Sequence, residues 1–186
     1  MKKIIGVLVV ICFILVGCGN AVDNEKKDAI NLMSDYGLTK EASENYYNYV
    51  DSLKNGFSEL IKVDDKLEEN SFKVANADRK KTLEYFDSAY TASSEFDESL
   101  ANDLYDFIHE MHGPSYGLDI VEEEKRNFGF FESGIMVKTF NSATKSLLDS
   151  VDISSESKEK LYEYYDSTVY SGDNIFREIN DEVKAK

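Results

Sequence analysis

The sequence predicts an all-α fold, an antiparallel bundle of about four long helices with a shorter helix before them. Three observations carry that prediction. Apolar residues recur at steps of three, four and seven over most of the chain, the period of a helix with one buried face. No stretch of useful length alternates apolar and polar residues as a half-buried strand would. The 186 residues include one proline and no regularly spaced Gly/Asn turn clusters, which argues against a β-sandwich. With 42% hydrophobic and 12% aromatic residues the chain is too apolar for disorder, and its length suits one domain with a real core.

Residues 19–28 are polar and of mixed charge and read as a tether, so the bundle domain is expected over 29–186. Ala29, Ile30, Met33 and Leu38 form the stripe of one short helix, and Gly37 suits the C′ position that ends it. Thr39 is a natural N-cap for the next helix. Tyr46, Val50, Leu53, Phe57, Leu60, Leu67 and Val74 share the face of that helix, whose expected length is roughly 57 Å at about 1.5 Å per residue. Asp78 can cap a second long helix with the face Leu83, Phe86, Tyr90, Leu100, Leu104, Phe107, Ile108 and Met111. Ser93-Ser94 is a candidate interruption, and His112-Gly113-Pro114-Ser115 ends the segment.

Asp119 with Glu122 has the form of a capping box and opens a third segment. Its stripe changes phase: Ile120, Val121, Phe128, Phe131 and Ile135 lie roughly 140° from Met136, Phe140, Leu147 and Val151, at about 100° per residue. A straight helix cannot bury both sets on one partner, so a kink, bulge or break is expected near Gly134. The final helix is expected to start at Ser154 or Ser155 and to carry Leu161, Tyr165, Thr168, Gly172, Ile175, Ile179 and Val183 along one face. Amphipathic helices joined by short turns pack antiparallel.

Charge narrows the partners. The chain holds 21 Lys and Arg against 36 Asp and Glu, a formal charge of -15. Residues 1–18 contain two lysines and no acid, so the remainder carries -17. Such a surface repels phosphate backbones, and nucleic acid is excluded as a partner.

The N-terminus reads as an address. Lys2 and Lys3 precede an apolar run from Ile4 to Val16, short of the roughly 20 residues of a permanent span but suited to a secretory signal peptide. The junction Leu15-Val16-Gly17-Cys18 resembles the lipobox of bacterial lipoproteins, a resemblance confined to the first 18–20 residues. It implies cleavage between Gly17 and Cys18, a thioether-linked diacylglycerol on Cys18, and a protein lipid-anchored on the extracytoplasmic face of the cell membrane. An ordinary signal peptide and a short membrane anchor are the alternatives. Two acyl chains, at about 0.8 kcal/mol per buried CH₂, hold a protein on a bilayer where one chain does so only marginally. Cys12 and Cys18 are the only cysteines, so on this reading the mature domain keeps no thiol for a disulfide, a metal site or a nucleophile. Residue 19 is Gly rather than the Asp of the inner-membrane retention signal in diderm bacteria. The Lys/Asn/Asp/Glu/Tyr-rich, Trp-free composition resembles low-GC Gram-positive lipoproteins; an outer membrane is the alternative location in a diderm.

The only histidines, His109 and His112, form His-Glu-x-His, one residue short of the zincin motif. A di-iron bundle needs a Glu-x-x-His motif on each of two helices, and there is no third histidine. The helical wheel sets His109 opposite Leu104, Phe107, Ile108 and Met111, with His112 on the flank, so both read as solvated; the rival is a surface zinc site with Asp106. The acidic clusters Asp64-Asp65, Glu68-Glu69 and Glu122-Glu123-Glu124 read as wet helix faces, without an EF-hand loop. Gly-x-Ser-x-Gly and phosphate-cradling glycine loops are absent, and nothing in the sequence asks for a cofactor.

Tyrosine is the informative remainder. Twelve are present, and Tyr46, Tyr49, Tyr90 and Tyr165 fall on core faces. Tyr85 and Tyr170 are expected to point away from their stripes, with Tyr47, Tyr105 and Tyr162 at the borders. Exposed tyrosine amid acid suits a contact surface, because it offers apolar area with little entropy to lose; border packing is the alternative. The sequence therefore leads to a membrane-tethered, non-enzymatic helical module that binds an envelope protein. Its rivals are a metal-dependent enzyme or metal-binding protein using His109 and His112, and capture of a cationic or sugar ligand by the acidic, tyrosine-bearing surface.

Overall fold

The computed structural model describes residues 23–64, 76–96, 130–172 and 174–185. Among those residues the fold is all-α, with six helices and no strand: α1 (residues 23–35), α2 (Lys40–Asp64), α3 (Asn76–Ser94), α4 (Phe130–Asp149), α5 (Ser155–Val169) and α6 (Ile175–Lys184).

Local chemistry sets the helix ends. Gly37 takes φ +98°, and Leu38 N–H donates to Met33 O while Gly37 N–H donates to Ser34 O. That is the Schellman pattern, which needs the left-handed residue. Thr39 then caps α2, its hydroxyl accepting from Ala42 N–H at 3.2 Å. Ser154 caps α5 by accepting from Ser157 N–H. Residues 23–28, expected as tether, are instead the first turns of α1. The Lys26 ammonium lies 5.1 Å from the centre of the Tyr47 ring and donates to Asn48, which docks those turns on α2.

Two further expectations are corrected. α4 runs through Gly134 as one continuous helix, so no break falls there. Within the described part of α4 it is the second stripe, with Met136, Phe140 and Leu147, that is buried, and Ile120, Val121 and Phe128 fall outside the described residues. The final helix is two helices. Gly172 adopts φ +93°, which no helix accommodates, and Asn174 starts α6 by accepting from the N–H groups of Phe176 and Arg177. Ser93 and Ser94, the candidate interruption, close the described α3 with their hydroxyls on the carbonyls of Tyr90 and Thr91. Leu67, Val74, Leu100, Leu104, Phe107, Ile108 and Met111 lie outside the described residues.

α2 and α3 are antiparallel, since Tyr46 meets Phe96 while Phe57 meets Phe86 and Glu59 meets Lys81. Phe57 is the centre of the core. Its ring lies 5.7 Å from Phe86 of α3, 5.7 Å from Phe140 of α4, 5.3 Å from Tyr170 and 4.9 Å from Phe176 of α6, each edge to face. Such pairs add about 0.5–1.5 kcal/mol each beyond their burial. α5 closes the bundle with Leu161 and Tyr165, the latter within hydrogen-bond reach of α4.

Candidate functional site

The packing of α3 on α2 creates the surface feature with most chemical content. Gly56 lets the Phe86 ring of α3 lie against the α2 backbone: a Cβ there would sit 2.6 Å from Phe86 Cε1. Outside that close contact the helices leave an open groove of about 420 Å³. From α2 it is lined by Asn45, Asn48 and Ser52, spaced three and four apart, and by Asp51. From α3 it is lined by Ser88, Thr91 and Ala92, and by Glu95 in the turn that follows the helix.

The hydrogen-bond inventory gives the groove a polarity. Ser88 donates its hydroxyl hydrogen to Glu84 O at 2.7 Å and Thr91 donates to Asp87 O at 2.9 Å. Both hydroxyls therefore offer only lone pairs outward. Asp51 and Glu95 are acceptors as carboxylates, and among the described residues no lysine or arginine lines the groove. The Lys26 ammonium at its edge is engaged with Asn48 Oδ1 at 3.2 Å. The groove is thus rich in acceptors and suits a ligand that donates: an ammonium, a guanidinium or a set of hydroxyls.

Tyr85 lies three residues before Ser88 on the same flank of α3, half-buried, with the Lys81 ammonium 5.9 Å from its ring centre. Lys81 also bridges to the buried Glu59 of α2 at 2.7 Å, which ties the two helices together beyond the groove. The other tyrosines expected at the surface do not join it. Tyr47 is half-buried at about 100° per residue roughly 140° round α2 from Ser52, beneath Lys26. Burial raises its pKa, with the charges of Asp51 and Glu25 adding to the effect. Tyr162 is half-buried on α5 with Lys145 of α4 5.0 Å from its ring centre, and burial, with Asp166 beside it, pushes its pKa up to about 12. It borders a separate cavity of about 270 Å³ between α4 and α5.

Tyr170 requires a correction: it is 1% exposed, not a surface residue. The wheel that turned it outward assumed one continuous final helix, and the break at Gly172 turns it into the core. Gly17, Cys18, Tyr105, Asp106, His109 and His112 lie outside the described residues.

Sequence reasoning missed a buried polar network. Tyr165 and Tyr170 both reach Asn141 Oδ1, at 2.9 and 3.2 Å; Asn141 donates to Asn180 Oδ1, and Asn180 to Asp166 Oδ1. Thr144 gives its hydrogen to Phe140 O, so Tyr49 must be the donor in the 2.9 Å Tyr49–Thr144 bond. A signal was present, since Asn141 and Thr144 interrupt the i, i+4, i+7, i+11 row Val137–Asn141–Thr144–Leu148. Burial holds the pKa values of Tyr46, Tyr49, Tyr165 and Tyr170 well above 10, so these hydroxyls stay protonated donors and none supplies a tyrosinate near neutral pH.

Among the described residues no group of three His, Cys, Asp or Glu side chains is placed to hold a metal ion, and no helix is long and apolar enough to cross a membrane. None of the family models, curated proteins or solved structures compared with this chain matches it.

Proposed function

We propose that the protein is a lipid-anchored binding module, held on the extracytoplasmic face of the cell membrane through Cys18, that receives a basic segment of an envelope protein in the α2–α3 groove. The observation that carries this reading is the acceptor-rich, acidic chemistry of the groove, where Ser88 and Thr91 have spent their hydrogens and Asp51 and Glu95 add charge beside the amides of Asn45 and Asn48. The net charge of the chain supports it, because an acidic surface speeds encounter with a basic partner at low salt. Tyr85 at the flank supplies apolar area for the same contact. The anchor rests on the resemblance of Leu15-Val16-Gly17-Cys18 to a lipobox.

The test has two arms. Cys18→Ala should leave an unprocessed precursor without lipid label, and a C18A chain still labelled and processed at Gly17 would overturn the anchor. Envelope proteins captured by the lipidated chain should be lost with Asp51→Asn combined with Glu95→Gln, and weakened by Tyr85→Ala and by salt. Capture unchanged in both variants would remove the groove from the reading. A second reading has its own observation: about 420 Å³ falls within the ordinary range of small-ligand sites. Calorimetry with a lysine-rich peptide, a polyamine and a neutral saccharide distinguishes a basic partner from a small cation or sugar.

A further inference from the structure

The Lys26 contact shows how an ammonium is held at the edge of the groove when nothing else is bound there. Residues 23–28 form the first turns of α1, and all six are exposed; Ala29 is the first to pack against the core. Among the described residues, the polar and ring contacts that join those turns to α2 come from one side chain. The Lys26 ammonium lies 3.2 Å from Asn48 Oδ1 and 5.1 Å from the centre of the Tyr47 ring. An amide oxygen beside an aromatic face holds a cation by both its dipole and the ring quadrupole. The field there is negative, because the charges of Asp51 and Glu25 both reach the Tyr47 hydroxyl.

This site is continuous with the groove. At about 100° per residue the surface of α2 passes from Tyr47 through Asp51 and Asn48 to Ser52 and Asn45, so Asp51 stands between the Tyr47 ring and the rest of the groove lining. Asp51 accepts from Asn55 Nδ2 at 3.0 Å, and among the described residues no lysine or arginine is paired with it. An ammonium drawn to Asp51 therefore arrives where Lys26 already lies. The two cannot share the place: they repel each other, and Asn48 has one amide oxygen to offer.

We propose that Lys26 is a built-in competitor for the ligand of the groove: a lysine ammonium of the basic partner segment takes its place on Asn48 and Tyr47, and the first turns of α1 come loose as the segment binds. This rests on the groove reading above and goes beyond it in naming the group bound and the segment displaced. Lys26 is tethered beside its site and so has the advantage of a high effective concentration. A ligand with one ammonium gains at Asn48 only what Lys26 already has, and is excluded. A segment with several also engages Glu95 and displaces it. Occupancy by Lys26 weakens every groove ligand by the fraction of time the place is taken.

The probe is acetyl-pentalysine amide, titrated into the full chain in neutral detergent at low salt. Lys26→Met keeps the side-chain stem and the helix propensity while removing the ammonium. Lys27→Met removes the same charge next door, from an exposed lysine with no bonding partner among the described residues. Lys26→Met should bind the peptide roughly threefold to tenfold more tightly than Lys27→Met. Hydrogen exchange is the second readout. The amides of residues 27–30, which bond back to residues 23–26, should exchange several-fold faster once the wild-type chain is saturated with peptide. Lys26→Met should show that faster exchange without peptide. Equal or weaker binding by Lys26→Met, or exchange unchanged on saturation, overturns the competition alone. No binding by any of these chains, or binding undiminished by Asp51→Asn combined with Glu95→Gln, overturns the groove reading and the competition with it.

Discussion

The side-chain amide of Asn141 in α4 donates to the carbonyl oxygen of Asn180 in α6 at 2.9 Å, with both residues out of solvent. The direction of that bond is dictated from outside the pair. Asn180 gives its own N–H to the Asp166 carboxylate, which can only accept and which Lys184 neutralises. Asn180 must then turn its oxygen to Asn141, and Asn141 must turn its oxygen to the two tyrosine hydroxyls. One partly exposed carboxylate thereby orients four buried groups on α4, α5 and α6.

Replacing Asn141 by Leu removes the acceptor for Tyr165 and Tyr170 and the donor for Asn180. Two or more buried polar groups left without partners, at about 1–3 kcal/mol each, predict a loss of roughly 2–5 kcal/mol. Tyr170→Phe, which leaves the Tyr165 bond in place, should lose only about 1 kcal/mol. Urea unfolding midpoints measure both, and equal losses would contradict the shared-acceptor arrangement.

Gly56→Ala should destabilise the protein although alanine favours helix by about 1 kcal/mol. The new Cβ would meet Phe86, whose ring is held between Phe57 and Phe140 and cannot withdraw. Overpacking of that kind costs about 1–3 kcal/mol. Thermal unfolding reads the sign directly.

Gly172→Ala should cost about 1–2 kcal/mol through the backbone alone, because φ is +93° while the nearest atom to the added Cβ, Asn174 Nδ2, is at an ordinary 3.5 Å. The helical signal should be retained at low temperature, with a lowered melting midpoint.

Alkaline pH should unfold the protein cooperatively. Tyr46, Tyr49, Tyr165 and Tyr170 have folded pKa values raised by burial above the unfolded value near 10. Their contribution is complete below pH ~10 and is lost as pH rises, because the unfolded chain releases protons that the folded one retains. Four such groups at about 1.4 kcal/mol each give roughly 5 kcal/mol per pH unit. The last part of the tyrosinate absorbance should therefore rise together with the loss of helical circular dichroism, whereas complete ionisation of all twelve tyrosines in a still helical protein would contradict the burial.

Much of the fold could be read from particular residues because the signals are local. Met33, Leu53, Phe57 and Leu161 stand at helical spacing and are buried, and Gly37, Thr39 and Ser154 mark the ends they occupy. The break before α6 was harder, because Thr168, Gly172, Ile175 and Ile179 keep helical spacing across a turn that interrupts the helix. Tyr170 was misplaced for that reason. The start of α1 depends on Lys26 finding Tyr47 and Asn48, and the Asn141–Asn180 bond joins residues 39 apart. The groove depends on the register of α2 against α3, which the Gly56–Phe86 contact fixes together with the Phe57–Phe86 and Glu59–Lys81 pairs. No periodicity within a single helix contains such pairings.

α6 has ten residues, fewer than the roughly 12–15 at which an isolated helix becomes marginally stable in water. Its helicity therefore comes from docking, through Phe176 against Phe57 and Asn180 between Asn141 and Asp166. Peeling it off would uncover the central aromatic ring and strand a buried amide in one step. Gradual fraying, the ordinary behaviour of a short helix of this kind, is thus closed to it. Its inner amide protons should exchange with solvent only when the core itself opens, at the same rate as those of α4, so a probe on α6 reads the cooperativity of the whole bundle.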